Sequence, residues 1–541
     1  MPWPRPAWRP LALVAALTLA SAQLSLAQPA GRLSGSSSAS LPSLGDSSEL
    51  SAAAERRIGD RIAASIYRDP DYVDDPVLVD YLQGIWQPLL AAARARGDLA
   101  AELDERFAWE VFLIRDRSIN AFALPGGYFG VHLGLIGTVS SADEMAAVLA
   151  HEISHVTQRH ISRLMTQQSR QAPWMIAAMI LGALAASKYP DAGSAAIVGG
   201  QALAAQGQLN FSRDMEREAD RVGFGVMRDA GYASRGVSSM FDKLQQAGRL
   251  NDNGSFPYLR SHPLTTERIA EAQARVQLAP AGKSSAQQQA AEGRAQQHHA
   301  MMAVRARILA APGVDVLRTL LADAQRRAGA LAALAALPSP GAAVSLASLG
   351  DAGALYGGAL AAAQLRQFSS ARSLLGQLKA LLASEAQAAK AVELLAIEID
   401  LLEGKTPLSA ASADIGKVAS RAELLIQAKA LMAANRAQDV SQALRTWVAE
   451  HPKDAQAWQL LALAYGQQGQ PVRAIRADAE SRAAQLEYAG ALDRLKAAQT
   501  LMRSQPGSAD HVEASILDTR TRQIELLLKE QALQDKVDEK L

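Results

Sequence analysis

SADEMAAVLAHEISHVTQRH, residues Ser141 to His160, decides how this chain is read. It holds His151-Glu152-Ile153-Ser154-His155, an HExxH pattern inside a helix-forming run. On an α-helix, positions i and i+4 lie one turn apart on the same face, so two imidazoles can meet one metal ion. Tetrahedral zinc suits that geometry. Glu152, beside the first histidine, is then placed to act as general base on the attacking water and to pass the proton to the leaving amine. Ser141 and Glu144 form a capping-box signature at the helix start, and Met145, Val148, Leu149 and Val156 mark its buried side. His160, about 140° round a continuous helix from His155, reads as a surface residue.

Catalytic zinc needs a third protein ligand and an open position. Phe211 to Gly223 offers two glutamates, and helical phase separates them: Glu216, Ala219, Asp220 and Gly223 share a face, while Glu218 points about 200° away from Glu216. Glu216 is therefore the expected ligand. Ala219 and Gly223 are small enough for close approach to the HExxH helix. Asp220, one turn on, is placed to accept a hydrogen bond from the non-ligating nitrogen of a zinc histidine.

Upstream, Ile58, Ile62 and Ile66 recur at one-turn intervals, and a second helix is expected from Pro76 to Ala93 with Val79, Leu82, Ile85 and Leu89 inward and Pro88 as a kink. Ala108 to Ile114 reads as a strand. Asn120 to Leu124 and Tyr128 to Val131 read as two more about the turn Pro125-Gly126-Gly127. Such a hairpin either offers an edge for an extended peptide or only supports the metal helix. His132, at its end, reads as structural.

These residues carry a resemblance. HExxH followed some 60 residues on by Ser212, Arg213, Glu216, Ala219 and Asp220 is similar to the HtpX-like zinc metallopeptidases, as is Asn120 to Gly127 before the metal helix. Over roughly Ser51 to Val276 the resemblance implies a gluzincin fold, endopeptidase chemistry, Glu216 as third ligand, and a substrate cleft beside Asn120 to Val131, edged by Asn120, Phe122 and Tyr128. Ser261-His262-Pro263 with Arg268 also resembles a family segment. His262 could occupy the open metal position at rest, orient substrate or an oxyanion, or serve only as a helix-entry residue. Arg213 could supply charge near an oxyanion or pair with Asp214 and Glu216.

The 541 residues call for two or more domains. With 55 basic and 54 acidic residues the net charge of +1 favours no nucleic-acid partner. Cysteine is absent, so disulfides and a thiol nucleophile are excluded and zinc must be held by His and carboxylate. Arg5 and Arg9, the apolar run Leu11 to Ala22 and small residues up to Ala27 read as a signal peptide over 1–27, which places the mature chain in the periplasm, soluble or in peripheral contact with a membrane. A flexible leader is expected over 28–50, a mostly helical metallopeptidase domain with a small sheet over 51–279, a linker over 280–297 and an all-α tetratricopeptide-like solenoid over 298–541. The fold class is thus α+β followed by helical repeats. Within the peptidase domain, the uncharged stretches Trp174 to Ala186 and Ala195 to Ala205 read as a buried hairpin, a lid, or a surface for membrane or unfolded substrate. His298 and His299 read as exposed.

The repeat signal is Trp458-x-x-Leu461-Ala462-x-x-Tyr465 with Gly469 and Ala474, preceded by Pro452; weaker units are expected from Tyr356 to Leu378 and from Ala491 to Pro506. Stacked helix pairs of this kind leave a concave surface for peptides or partner proteins. The architecture is similar to the periplasmic, repeat-fused subgroup of the HtpX-like family. That resemblance implies misfolded or stalled envelope proteins as substrates, contact with the outer-membrane barrel-assembly machinery, and a part in quality control. The rival reading is a periplasmic chaperone or adaptor that works through its repeats with a seldom-active metal site.

Overall fold

Ser51 caps helix α1 (Ala52–Tyr67) by accepting the Ala54 N–H at 3.2 Å. Ile58, Ile62 and Ile66 are buried on one face of α1, as their spacing predicts. Helix α2 (Pro76–Arg96) is capped by Asp75, starts with Pro76 and ends at Gly97 with φ 76°. Leu82, Ile85 and Leu89 are buried along it, Val79 is half-buried, and Pro88 lies inside the helix. The computed structural model describes residues 50–167, 212–250, 257–278, 286–335, 349–383, 385–407, 415–418, 420–504 and 510–538. The expected signal peptide, the leader up to residue 49 and the apolar stretches between Trp174 and Ala205 lie outside these residues.

Between α1 and α2 lies β1 (Tyr72–Val73), and a short helix α3 (Ala101–Arg106) leads into β2 (Glu110–Ile114), β3 (Ala121–Leu124) and β4 (Tyr128–His132). The sheet order is β1-β2-β4-β3. β3 and β4 form the expected antiparallel hairpin, with Leu124 opposite Tyr128, while β2 runs parallel to β4. β1 pairs with β2 through Tyr72 and Val73 only, too short a segment for any periodicity to reveal. β4 is buried at every position, so it forms the centre of the sheet and leaves β3 at one edge.

Next come α4 (Leu133–Thr138), α5 (Ala142–Thr157), α6 (His160–Gln167), α7 (Arg213–Asp229), α8 (Arg235–Leu250), α9 (Pro257–Ser261) and α10 (Thr266–Leu278). α5 packs against α2, α7, α8 and β3, so the HExxH helix runs through the domain core with Trp86, Phe129, Leu149, Ile153 and Val226 in one apolar cluster. Each such buried side chain contributes about 1.5–3 kcal/mol.

The expected linker needs correction. Helix α11 (Ala286–Leu309) takes up most of it, its Ala/Gln-rich start being good helix-forming sequence. α11 packs on α4, and this buries His299, expected to be exposed, between the Tyr81 hydroxyl at 2.5 Å and the Val139 carbonyl at 2.8 Å. The chain continues as α12 (Val314–Ala335), α13 (Leu349–Gln364), α14 (Phe368–Leu381), α15 (Ala386–Glu403), α16 (Arg421–Ala433), α17 (Ala437–Glu450), α18 (Ala455–Gln467), α19 (Pro471–Ala484), α20 (Tyr488–Ser504) and α21 (His511–Asp538). α11 and α12 both pack on α13, and from α13 on successive helices pack on one another. Asn435 and Gly469, both at positive φ, turn α16 into α17 and α18 into α19 about one 34-residue tetratricopeptide period apart. The weaker units fall on α13–α14 and α20. No helix among the described residues is long and apolar enough to cross a membrane.

Among the contacts that join the helical region to the peptidase domain are two arginines each clamped between two carboxylates. Buried Arg305 of α11 binds both carboxylate oxygens of Asp75, at 2.8 and 2.6 Å, and both of Glu398, at 2.8 and 2.6 Å. Arg421 of α16 does the same with Asp74 and Asp454 at 2.7–2.9 Å.

Candidate metal centre

The start of α5 is set by a variant of the expected capping box. Ser141 Oγ accepts the Glu144 N–H at 3.2 Å, but Glu144 reaches back to the N–H of Ser140, at 2.7 Å, and also accepts from Ser239 and Lys243 of α8 at 2.8 Å. With that start fixed, His151 and His155 project from one face, their Nε2 atoms 3.0 Å apart.

Helix α7 is capped by Ser212, whose hydroxyl accepts the Met215 N–H. It approaches α5 so closely that a Cβ on Gly223 would stand 3.0 Å from the Ala150 carbonyl oxygen. This contact delivers Glu216, 1% exposed, to the two histidines: Oε2 lies 3.4 Å from His151 Nε2 and Oε1 3.4 Å from His155 Nε2. Asp220 Oδ1 lies 3.0 Å from His151 Nδ1, on the far side of that ring. His262, after α9, brings Nδ1 to 2.9 Å from Glu216 Oε1, and Tyr258 stacks on its ring at 4.6 Å.

His151, His155, Glu216 and His262 thus offer four ligand atoms within 4.8 Å of one another, all buried. Separations of 2.9–3.4 Å match the roughly 3.3 Å between neighbouring ligands on tetrahedral zinc with bonds of about 2.0 Å. Beside them Glu152 is 1% exposed, and neither of its oxygens closes a hydrogen bond of normal geometry. His262 Nε2 lies 3.5 Å from Glu152 Oε1. The donor set fits a zinc ion.

The electrostatics agree with a site built for a cation. Burial pushes His155 well below its ordinary value, helped by neighbouring His151, and so keeps a lone pair available. Burial opposes charge on His151 too, but Asp220 and Glu216 outweigh it and push His151 up to about 10. Ligation needs neutral imidazole, so a metal competes with that proton. Burial raises Glu152, whereas Glu216, despite its burial, is held far below the carboxylate range by His262 and His151.

Three expectations change at this site. His160 is buried, because α5 ends at Thr157 and Arg159, at φ 56°, turns the chain into α6; the phase of a continuous helix does not apply. Its Nδ1 lies 3.0 Å from His155 Nδ1. Arg213 is exposed at the first position of α7 and enters none of the cluster's described bonds; Asp214 pairs with Arg217 instead. The arginine at the centre is Arg268 of α10, bound to Asp220 at 2.7 and 2.9 Å and to Glu216 at 2.7 Å. It stood in the quoted His-Pro segment, but no local spacing could say which carboxylates it meets.

Tyr128, expected at the cleft edge, turns its hydroxyl to Asp60 of α1 at 2.7 Å. It lies on a strand that β3 screens from one side and is packed into the second apolar cluster with Ile62 and Phe112. Asn120 and Phe122 lie at and on the edge strand β3, which packs against α5; Asn120 Oδ1 is buried without a hydrogen-bond partner, and Phe122 covers Gly130. His132 is structural, bound to Ser118 Oγ at 2.9 Å.

Residues 89–276, which hold every one of these side chains from Asn120 to Arg268, match peptidase family M48. The chain is 37% identical over 242 residues to a Vibrio cholerae protein provisionally named a beta-barrel assembly-enhancing protease, covering 44% of this chain and 48% of that one. It is 32% identical over 265 residues to the Escherichia coli (strain K12) beta-barrel assembly-enhancing protease, covering 49% and 51%. The chain thus spans about half the length of these two relatives. With the Yersinia pestis protein of the same name it shares 29% identity over 451 residues, 82% of this chain and 84% of that one. Residues 89–276 are thus similar to the metallopeptidases of family M48, and an all-helical region follows at their C-terminal side.

Proposed function

We propose that this chain is an exported zinc endopeptidase that cleaves misfolded or stalled envelope proteins in the periplasm. The observation that carries the reading is the convergence of His151, His155 and Glu216 with a buried Glu152 at their side. His151, His155 and Glu216 would hold a zinc ion, which would supply Lewis acidity to a water and to the scissile carbonyl. Glu152 takes the proton of the attacking water and returns it to the departing amine nitrogen. Asp220, itself held by Arg268, fixes the His151 ring through Nδ1. The edge strand β3, with Asn120 and Phe122, offers an extended substrate main-chain pairing beside α5.

His262 fills the fourth donor position, so a substrate enters only when the His262 segment moves. On this reading His262→Ala raises basal proteolysis above wild type; complete loss would instead give His262 a direct part in the reaction.

The likeness to relatives named beta-barrel assembly-enhancing proteases supports outer-membrane proteins as clients and barrel assembly as the setting. The stacked helices beyond α11 supply a tetratricopeptide-like surface for clients or partners. The deciding experiment is Glu152→Gln, with zinc content and cleavage of an unfolded test protein measured side by side. Zinc retained with cleavage abolished is expected, and unchanged cleavage would overturn the mechanism. Rescue of outer-membrane assembly by that inactive variant would favour the chaperone reading.

A further inference from the structure

His160 and Glu218 have no part in the chemistry above, yet they sit against it in a defined order. His155 Nδ1 is 3.0 Å from His160 Nδ1, His160 Nε2 is 3.0 Å from Glu218 Oε2, and Arg163 Nη1 is 3.0 Å from the same oxygen. His160 is 0% exposed, while Glu218 and Arg163 reach the surface, with side chains 32% and 40% exposed. The hydrogens can be assigned from chemistry. A neutral imidazole carries one N–H. If His155 offers its Nε2 lone pair to a metal, its proton is on Nδ1 and is donated to His160 Nδ1. The proton of His160 is then on Nε2, and Glu218 accepts it.

We propose that His160 and Glu218 form an orienting relay that fixes the tautomer and ring angle of His155, as Asp220 does directly for His151. The two arms share a plan: each runs from a ligand histidine to a carboxylate, and each carboxylate is held by an arginine, Arg268 for Asp220 and Arg163 for Glu218. They differ in reach. Glu216 and Asp220 share the face of α7 that meets α5, whereas Glu218 lies on another face, and the imidazole of His160 spans the gap. The turn that puts it there is strained. Arg159 adopts a left-handed conformation, φ 56°, that residues other than glycine rarely take, and its guanidinium is anchored on Glu55 at 3.1 Å and Ser162 at 3.1 Å. His160 is a positioning residue, acting through His155.

The inference rests on the zinc reading, and its test separates the two. Zinc affinity of the full chain is measured by competition with a chelator, alongside the thermal stability of the zinc-free protein. His160→Phe keeps an aromatic side chain, somewhat larger, but loses both nitrogens, and is expected to weaken zinc binding about 10- to 100-fold. His160→Asn, whose Oδ1 can accept near the Nδ1 position, recovers part of that loss. Glu218→Ala, altered at the exposed end where folding is least at risk, also weakens binding. Wild-type affinity in both His160→Phe and Glu218→Ala overturns the relay alone, as does an Asn variant no better than Phe. A wild-type chain that binds no zinc overturns the relay and the metallopeptidase reading together.

Discussion

The metal centre and the seam between peptidase domain and helical region are both built from arginines set between pairs of carboxylates, but only the seam is complete. Arg305 and Arg421 each bind both oxygens of two carboxylates, so the fork geometry of the guanidinium is used up within the protein. At the centre, Arg268 satisfies Asp220 in the same bidentate way but meets only one oxygen of Glu216, whose carboxylate is shared with histidine nitrogens, and Glu152 closes no hydrogen bond of normal geometry. Buried carboxylates kept this far from saturation are costly. The difference teaches where the chain holds itself together and where it waits for a cation and a substrate.

The comparison breaks if charge removal acts alike in both places. The largest contrast is expected for Glu152→Gln, which keeps volume and should lower the rate of peptide hydrolysis by about 10²–10⁴-fold with little change in melting temperature. Loss of stability comparable to loss of rate would mean that Glu152 is a structural group. At the seam the opposite holds. Arg305→Ala leaves Glu398 and Asp75, which also caps α2, without the guanidinium they share, and should cost about 3–5 kcal/mol in denaturant unfolding. A near-neutral result would show that the seam is not a stabilising contact.

The smallest effect is on pH dependence. Burial works against the charge of Asp454, but Arg421 and the Trp447 N–H, 2.9 Å away, hold its pKa below the ordinary value. A depressed carboxylate contributes stability that is full above its unfolded pKa of about 3.9 and is lost as pH falls through the folded value. Thermal unfolding followed between pH 7 and 3 should therefore show this contribution unchanged down to about pH 4 and falling below it. Arg421→Ala should flatten that fall, and an identical acid limb in both proteins would exclude the clamp.

Several features of the centre were legible in the chain because they depend on one helix at a time. The i and i+4 spacing of His151 and His155, the phase that selects Glu216 and Asp220 over Glu218, and the small Ala219 and Gly223 at the contact all follow from 3.6 residues per turn. The hairpin of β3 and β4 was legible too, since Pro125-Gly126-Gly127 marks a tight turn between two short apolar segments, and Gly126 and Gly127 both take positive φ there. Helices α1 and α2 announced themselves through apolar periodicity.

What tertiary structure alone decided has one physical cause: it concerns groups distant in sequence or placed by a break in regular geometry. A left-handed Arg159 ends one helical phase and starts another, which moves His160 from the expected surface to a position beneath His155. Arg268 meets Asp220 from a different helix, Tyr128 turns to Asp60 of α1, and His299 is enclosed only because α11 folds onto α4. Local spacing fixed which residues could bind a metal; the packing of α5, α7 and the His262 segment decided which partners hold them in place.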